Sequence, residues 1–464
     1  MGNQSKIEGN QNIVIQGVSG STITLNVNGK TEEIGKSLDE LKSFLQSLKM
    51  QSFEYAEKIY DVNKITHELF DSLIGGLYNT FLYHEIKDHY QKIYPDSYKS
   101  VFGDGKNETK DIANKVNNLF GCIIGNQLRR IYIIGTEGQS SYKTSNYTRI
   151  CTITTKIILK IVSFSIFSIL WDKIKNNVKL TMSEELITKI GSHILTEKDL
   201  SIGENLELFQ CLIKIFENNQ NKIELPIKEL KDNLKYFLEI NGEFEIACNY
   251  LAEIDELDND PKVKLNAGHT IEVEKQLCVL LKAFIFLTKF KLVSTKKIEF
   301  EYGRNSQKPR YIRNYTLLDG TDKKYEVTRF EESERNSYSV IIQNKEINKE
   351  LNKEINLEIN LFPFVFDFHA LSAKDNVKLY IYKRLSEQSG IEYYSVDDED
   401  DKIFSFRQVF GSLGNKNIVA GDDDEEKKNK IKQIKLDEVL LHFKIACKII
   451  LNIEKQFDVE PDIY

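Results

Sequence analysis

An α+β fold is predicted from three changes of period along the 464-residue chain. Short alternating runs near the start read as a β-hairpin, and a long stretch of three- and four-residue spacing reads as a large helical core. Alternation returns after residue 295 as an antiparallel β-rich domain, and a closing helix follows. The expected segments are a hairpin-plus-helix assembly module (1–50), a helical core (51–294), the β-rich domain (295–396), an acidic flexible loop (397–432) and a C-terminal helix and tail (433–464). Length alone favours about two to four domains.

The opening hairpin is read from residues 12–28, NIVIQGVSGSTITLNVN. Ile13 and Ile15 alternate with polar or small neighbours, Ile23, Leu25 and Val27 do so again, and Ser19-Gly20-Ser21 joins the two runs. A two-stranded hairpin is marginal in water. Its apolar face needs cover from the following helix or from another copy, which makes these five residues the expected assembly positions. From Glu33 the period changes: Ile34, Leu38, Leu41, Phe44, Leu45 and Leu48 mark an amphipathic helix over 34–49.

Helical patterning then runs to about residue 291, enough for about eight to ten helices. Irregular stretches fall near 98–110 and 134–146. Examples of the pattern are Leu206/Phe209/Leu212/Ile213/Phe216 and Ile227/Leu230/Leu234/Phe237. Ile153–Trp171 is apolar enough to raise the question of a membrane. Its uncharged part, Ile161–Trp171, falls short of the roughly 20 residues a span requires. Lys156 and Lys160 lie one turn apart, as on the solvated edge of a buried helix, so a core helix is expected.

In the β-rich domain, alternation marks strands at Ile298–Tyr302, Tyr311–Leu317, Tyr325–Arg329, Tyr338–Ile342, Ile355–Leu361, Val377–Lys383 and Ile391–Val396. Leu318-Asp319-Gly320-Thr321-Asp322 is a turn between two of them. The repeat NKEI/NKEL/NKEI over 344–356 suits a short solvated helix or a hairpin arm. The charge runs DDEDDK (397–402) and DDDEEKK (422–428) read as solvated loop. Val439 to about Phe457 closes the chain as an amphipathic helix.

Composition narrows the function. A net charge of −7 excludes a general nucleic-acid cloak, although a local basic patch remains open. Six scattered cysteines, with no C-x-x-C and no zinc spacing, read as buried reduced thiols. The polar opening Met1–Lys6 lacks the apolar core of a signal peptide, so a soluble cytoplasmic protein is expected.

Chemistry-bearing patterns are incomplete. Arg129-Arg130-Ile131-Tyr132-Ile133-Ile134-Gly135 leads through Thr136–Tyr142 to Lys143-Thr144 and then a helix, the order a phosphate loop needs. The glycine a Walker loop places before its lysine is Tyr142 here, and neither Gly135 nor Gly138 stands at the required offset. Lys143, Thr144, Arg129 and Arg130 are therefore candidates for phosphate contact in a degenerate loop. His84 and His89 are five apart, which breaks the zinc-helix spacing. No catalytic residue, metal site or cofactor is expected, and the chain leans away from an enzyme. The segment RNSQKPRYIRNY offers Arg304, Lys308, Arg310, Tyr311, Arg313 and Tyr315 as candidates for nucleic-acid binding, against a plain solvated hairpin.

The opening IEGNQNIVIQGVSGSTITLNVNGK, with the leucine-rich helix and YAEKIYDV (Tyr55–Val62), resembles the N-terminal effector-associated adaptor segments of bacterial conflict (anti-phage) proteins, mainly from Bacteroidetes. The resemblance covers roughly residues 7–62, and residues 125–172 look like a segment of inactive relatives of signalling NTPases. It implies homotypic coupling of a regulator to a nearby effector, hence a homo-oligomer or a partner effector protein. The resulting expectation is a non-enzymatic scaffold, sensor or regulator of an antiviral defence system. The alternatives are a nucleotide- or nucleic-acid-responsive switch and a membrane-acting effector exposing Ile153–Trp171.

Overall fold

The computed structural model describes residues 23–27, 30–34, 78–103, 108–136, 143–223, 227–258, 265, 267–301, 310–319, 322–330, 340–344, 358–371, 377–386, 390–396, 403–405, 439, 441–448 and 450–451. The fold is α+β. Helices fill the middle of the chain, and two larger antiparallel sheets follow them.

Strand β1 (Ile23–Val27) confirms the second run of the opening pattern, but its described partner differs from the expected one. It pairs with β2 (Lys30–Ile34), a segment read from sequence as the start of the helix. The register sets Val27 opposite Lys30, so only Asn28 and Gly29 connect the strands, the dipeptide that two-residue hairpins favour. Ile13, Ile15 and residues 35–49 of the expected helix lie outside the described residues.

Among the described residues, eleven helices occupy Thr80 to Ala283: α1 (Thr80–Ile93), α2 (Pro95–Phe102), α3 (Thr109–Leu119), α4 (Gly121–Thr136), α5 (Lys143–Lys175), α6 (Glu184–Ile194), α7 (Ile202–Asn218), α8 (Lys228–Asp232), α9 (Leu234–Leu238), α10 (Glu243–Asp258) and α11 (Ala267–Ala283). The single helix expected through Ile227–Phe237 is split at Asn233, which ends α8 and starts α9. Local capping sets other boundaries. Ser183 caps α6 by accepting the Leu186 N–H, and Ser201 with Glu204 forms a reciprocal capping box on α7.

Helix α5 is the axis. It packs on α4, α7, α10 and α11, and its far end reaches the sheets. Among the described residues it is the one helix long and apolar enough to cross a membrane, and 89% of its most apolar window is buried inside the fold. Three of its small polar residues are satisfied within the helix: Thr154, Thr155 and Ser165 donate to the carbonyls of Ile150, Cys151 and Ile161. The expectation that Lys160 lies on a solvated edge is overturned. It is 2% exposed, pairs with Asp199 at 2.8 Å and stands over the Tyr394 ring. An ammonium is held in the core because the loop between α6 and α7 delivers a carboxylate to it. Lys156 pairs with Asp255 at 2.8 Å. All six cysteines are free and buried, as expected.

Beyond a 3-10 turn at Ile285–Lys289, the first large sheet contains β3 (Phe290–Glu301), β4 (Arg310–Asp319), β5 (Asp322–Phe330), β6 (Val340–Asn344) and β7 (Glu358–Asn360), in the order β5-β4-β3-β6-β7. The β4–β5 turn falls where the sequence placed it, with Asp319 opposite Asp322. Strand β3 starts at Phe290, ahead of the expected boundary. Leu292, Leu318, Val340 and Ile342 join the main core, whereas Val293, Tyr315 and Ile341 form a small second cluster. That split follows from the two-residue side-chain period of a strand.

The second sheet contains β8 (Val365–Asp367), β9 (Leu379–Ser386), β10 (Gly390–Ser395) and β11 (Ile403–Ser405), in the order β11-β10-β9-β8. A short helix, α12 (Phe368–Leu371), follows β8. Strand β11 lies within the region expected to be acidic loop: Ile403 and Phe404 supply an apolar pair between the charge runs, and this segment pairs with β10. A bulge at Lys296 in β3 joins the two sheets. Lys296 meets Asp367 at 2.5 Å, Ser294 donates to the same carboxylate at 2.7 Å, and the backbone N–H groups of His369 and Lys378 complete it. Helix residues between 439 and 451 close the core, with Phe443 against Phe364 and Tyr382.

Burial lowers the Lys160 ammonium while Asp199 opposes that shift. Burial also raises the Asp199 carboxyl, but its pairing with Lys160 outweighs this and leaves it below the ordinary value. A depressed carboxylate stabilises the fold above the unfolded pKa, near ~3.9, and that contribution is lost as pH falls through the folded value. The Lys160→Met variant should therefore lose less stability than wild type between about pH 5 and pH 3, as read from urea midpoints. At neutral pH, Asp199→Ala should cost about 2 kcal/mol or more, because Lys160 is stranded, and Lys160→Met should cost less.

Candidate functional site

A buried polar cluster lies where α1, α4, α5 and α11 meet, near the end of α4 and the start of α5. Its centre is Glu274 on α11, 2% exposed. One carboxylate oxygen accepts the Leu82 N–H at 2.9 Å, and the other faces the Tyr147 hydroxyl at 3.1 Å. Leu82 lies in the first turn of α1, where backbone N–H groups have no partner within the helix. The residue that starts α1, Asn79, makes no capping bond with its own side chain. Glu274 supplies that cap from another helix, with a charge suited to a helix N-terminus.

Asn79 is used elsewhere. Its backbone is left-handed, at φ 71°, a conformation asparagine tolerates better than most residues. Its amide nitrogen donates to the Tyr132 carbonyl of α4 at 2.8 Å, and its oxygen lies 3.1 Å from the Tyr147 hydroxyl. One phenolic proton is thus shared between Asn79 and Glu274. Tyr83 donates to the Leu128 carbonyl, Tyr78 stacks on Tyr147 with centroids 4.6 Å apart, and Thr148 meets Thr270 at 2.9 Å.

These groups hold their protons. Burial, then the Glu274 charge, pushes the Tyr83 and Tyr147 hydroxyls and the Cys151 thiol well above their ordinary values. At neutral pH the tyrosines are hydrogen-bond donors and Cys151 is a thiol, not a nucleophile. The arrangement ties four helices together.

The candidate phosphate-contacting residues fall around this junction. Arg129 and Arg130 lie inside α4, so a helix and not a strand leads into the segment; Arg130 donates to Gln127 at 3.2 Å. Lys143 begins α5, and the Thr144 hydroxyl is 3.4 Å from that of Tyr78. The next residue, Ser145, donates to Asp258. Asp258, which Arg149 also faces, and Glu274 both lie near the start of α5. Gly135 has a packing reason to be glycine. A Cβ there would fall 2.1 Å from the Asn79 amide nitrogen, so the glycine that resembled a phosphate-loop residue makes room for a side chain.

Part of the nucleic-acid candidate segment lies on β4. Arg304 and Lys308 lie outside the described residues. Positions 310 and 313 of β4 differ by three and so fall on opposite faces of the strand, whereas 311, 313 and 315 share one. Tyr315 is 2% exposed, and its hydroxyl receives the Lys291 ammonium at 3.2 Å, so it is not free to stack on a base. Nor do Arg129 and Arg130 extend that surface. Helix α4 approaches the sheet through Gly121, beside Leu292 and the Leu318 carbonyl, at the end of β4 remote from Arg310. Among the described residues, no group of three or more His, Cys, Asp or Glu side chains is placed to hold a metal.

Sequence reading did not single out Asn79, Tyr83, Tyr147 or Glu274. The available signal was Glu274 itself, a carboxylate three residues from Leu277 on the apolar face of α11.

Two outcomes test the junction. Gly135→Ala should destabilise by about 1–2 kcal/mol through overpacking against Asn79. In an Asn79→Gly background the same change should be neutral or stabilising, a coupling that a double-mutant cycle of denaturation midpoints detects. Glu274→Ala should cost about 1–3 kcal/mol by stranding the Leu82 N–H, while the Tyr147 hydroxyl keeps Asn79 as its acceptor, and Glu274→Gln should recover part of it.

No family model matches the chain, and no curated protein or solved structure matches it either.

Proposed function

We propose that the chain is a non-enzymatic scaffold or regulatory component of a bacterial antiviral defence system, assembling through its N-terminal β-hairpin. The observation that carries this reading is the small sheet β1–β2. It contains two strands, and no third described strand joins it. Two strands alone do not bury enough apolar surface to be stable in water. A segment of this kind is completed by association, and residues 7–62 resemble adaptor segments that work in this way. The buried polar junction around Glu274 supports the non-enzymatic side of the reading, because its groups serve as helix connections. The burial of α5 weighs against a membrane-acting effector, since insertion would require the central helix to leave the core.

Deletion of residues 1–50 is the direct test. The full-length protein should elute as a homo-oligomer or with a co-purifying effector, and the truncated protein as a folded monomer without it, as read by light scattering and circular dichroism. If the truncated protein keeps its oligomeric state and its partners, the assembly role is wrong.

A further inference from the structure

We infer that the edge strand β2 of one copy pairs with the edge strand β5 of a second copy, continuing the five-stranded sheet across the interface. This inference rests on the assembly role proposed for the hairpin and names the surface that receives it.

Edge strands offer unpaired backbone N–H and C=O groups to another chain. Among the described strands that end a larger sheet, β7, β8 and β11 have three residues each, whereas β5 has nine and pairs on one side only. Among the described strands β2 likewise pairs with β1 alone. Among the described residues β1–β2 is a sheet of its own, β5 ends another, and no pairing joins them. The missing strand for each is therefore assigned to a second copy.

Hydrogen-bond phase and charge select one register. In an antiparallel pair, residues alternate between those bonded to the partner strand and those whose backbone groups point outward. Counting from the tight connections at Val27/Lys30 and Asp319/Asp322, the outward positions are Thr31 and Glu33 on β2, and Lys323, Tyr325, Val327 and Arg329 on β5. Setting Thr31 opposite Tyr325 and Glu33 opposite Lys323 brings both sets into phase. The same alignment places Glu32 opposite Lys324 and Lys30 opposite Glu326, so each charged residue of β2 meets its opposite. The neighbouring in-phase registers fail on charge. One sets Glu32 against Asp322 and Lys30 against Lys324, and the other sets Glu32 against Glu326. A reciprocal exchange, with each hairpin on the other copy's β5, closes a two-fold dimer.

Cysteine pairing tests the register and the source of the strand together. Glu32 and Lys324 would form a non-hydrogen-bonded pair with Cα atoms about 4.5 Å apart, within disulfide reach. The native cysteines described are all buried and do not compete. Full-length Glu32→Cys and Lys324→Cys proteins, carrying different tags, are mixed, unfolded, refolded together and oxidised. A disulfide-linked heterodimer should account for most of the product, and replacing Lys324→Cys by Thr328→Cys should reduce it at least tenfold. Absence of that heterodimer overturns the inference, as does internal cross-linking of the Glu32→Cys/Lys324→Cys double variant as a monomer. A charge exchange gives a second readout. Glu32→Lys/Glu33→Lys should weaken association at least tenfold, and adding Lys323→Glu/Lys324→Glu should restore it. If deletion of residues 1–50 abolishes the oligomer while these exchanges leave it unchanged, the β5 surface is wrong and the assembly role stands. If the deletion leaves the oligomer intact, the assembly role itself fails.

Discussion

Burial of α5 is the constraint from which the rest of the architecture follows. A 33-residue helix of this apolarity has two stable destinations, a bilayer or the centre of a protein. Here helices cover its first half and the sheets approach its second, where Phe164 and Phe167 meet Phe364 and Ser168 donates to the Asn360 carbonyl. Helices and sheets share the cover of this rod. An α+β arrangement on one axis is the result.

Two polar ties fix what surrounds the axis, and they are built in opposite ways. At the start of α5, Tyr147 meets Glu274 and Asn79, and a carboxylate on α11 completes the first turn of α1. Midway along, the charge sits on α5 itself, as Lys160, and a loop brings Asp199 to it. Each tie satisfies a buried group that would be costly unpaired, so each specifies which elements must be adjacent. The Lys296–Asp367 pair plays the same part between the two sheets. Apolar packing alone would permit the helices and sheets to slide; these three contacts do not.

The hairpin β1–β2 stands outside this system of ties. Its sheet has two strands and gains no third from the described part of the chain, while β5 leaves a long edge at the margin of the five-stranded sheet. The core has these ties, whereas the small sheet gains no third strand among the described residues, and the scaffold reading gives the two separate duties, stability and contact. That division is the physical content of the scaffold reading.

The period of the apolar residues determined much of this without coordinates: the α+β class, the buried status of Ile153–Trp171, the turn at Asp319–Asp322 and the antiparallel character of the later strands. Each of these depends on spacing between near neighbours, which a sequence displays directly. The Asn28-Gly29 dipeptide was equally local, but the apolar alternation upstream of it drew attention to Ser19-Gly20-Ser21, and residues 12–22 lie outside the described residues. What only the tertiary structure decided are the pairings between distant residues: Lys160 with Asp199, Glu274 with Leu82 and Tyr147, Tyr315 with Lys291. Gly135 makes the point most sharply. In sequence it looked like part of an anion-binding loop, whereas in the fold it leaves room for Asn79, 56 positions earlier. A residue's neighbours along the chain set its local conformation, but the partner that satisfies a buried polar group is chosen by packing across the whole fold.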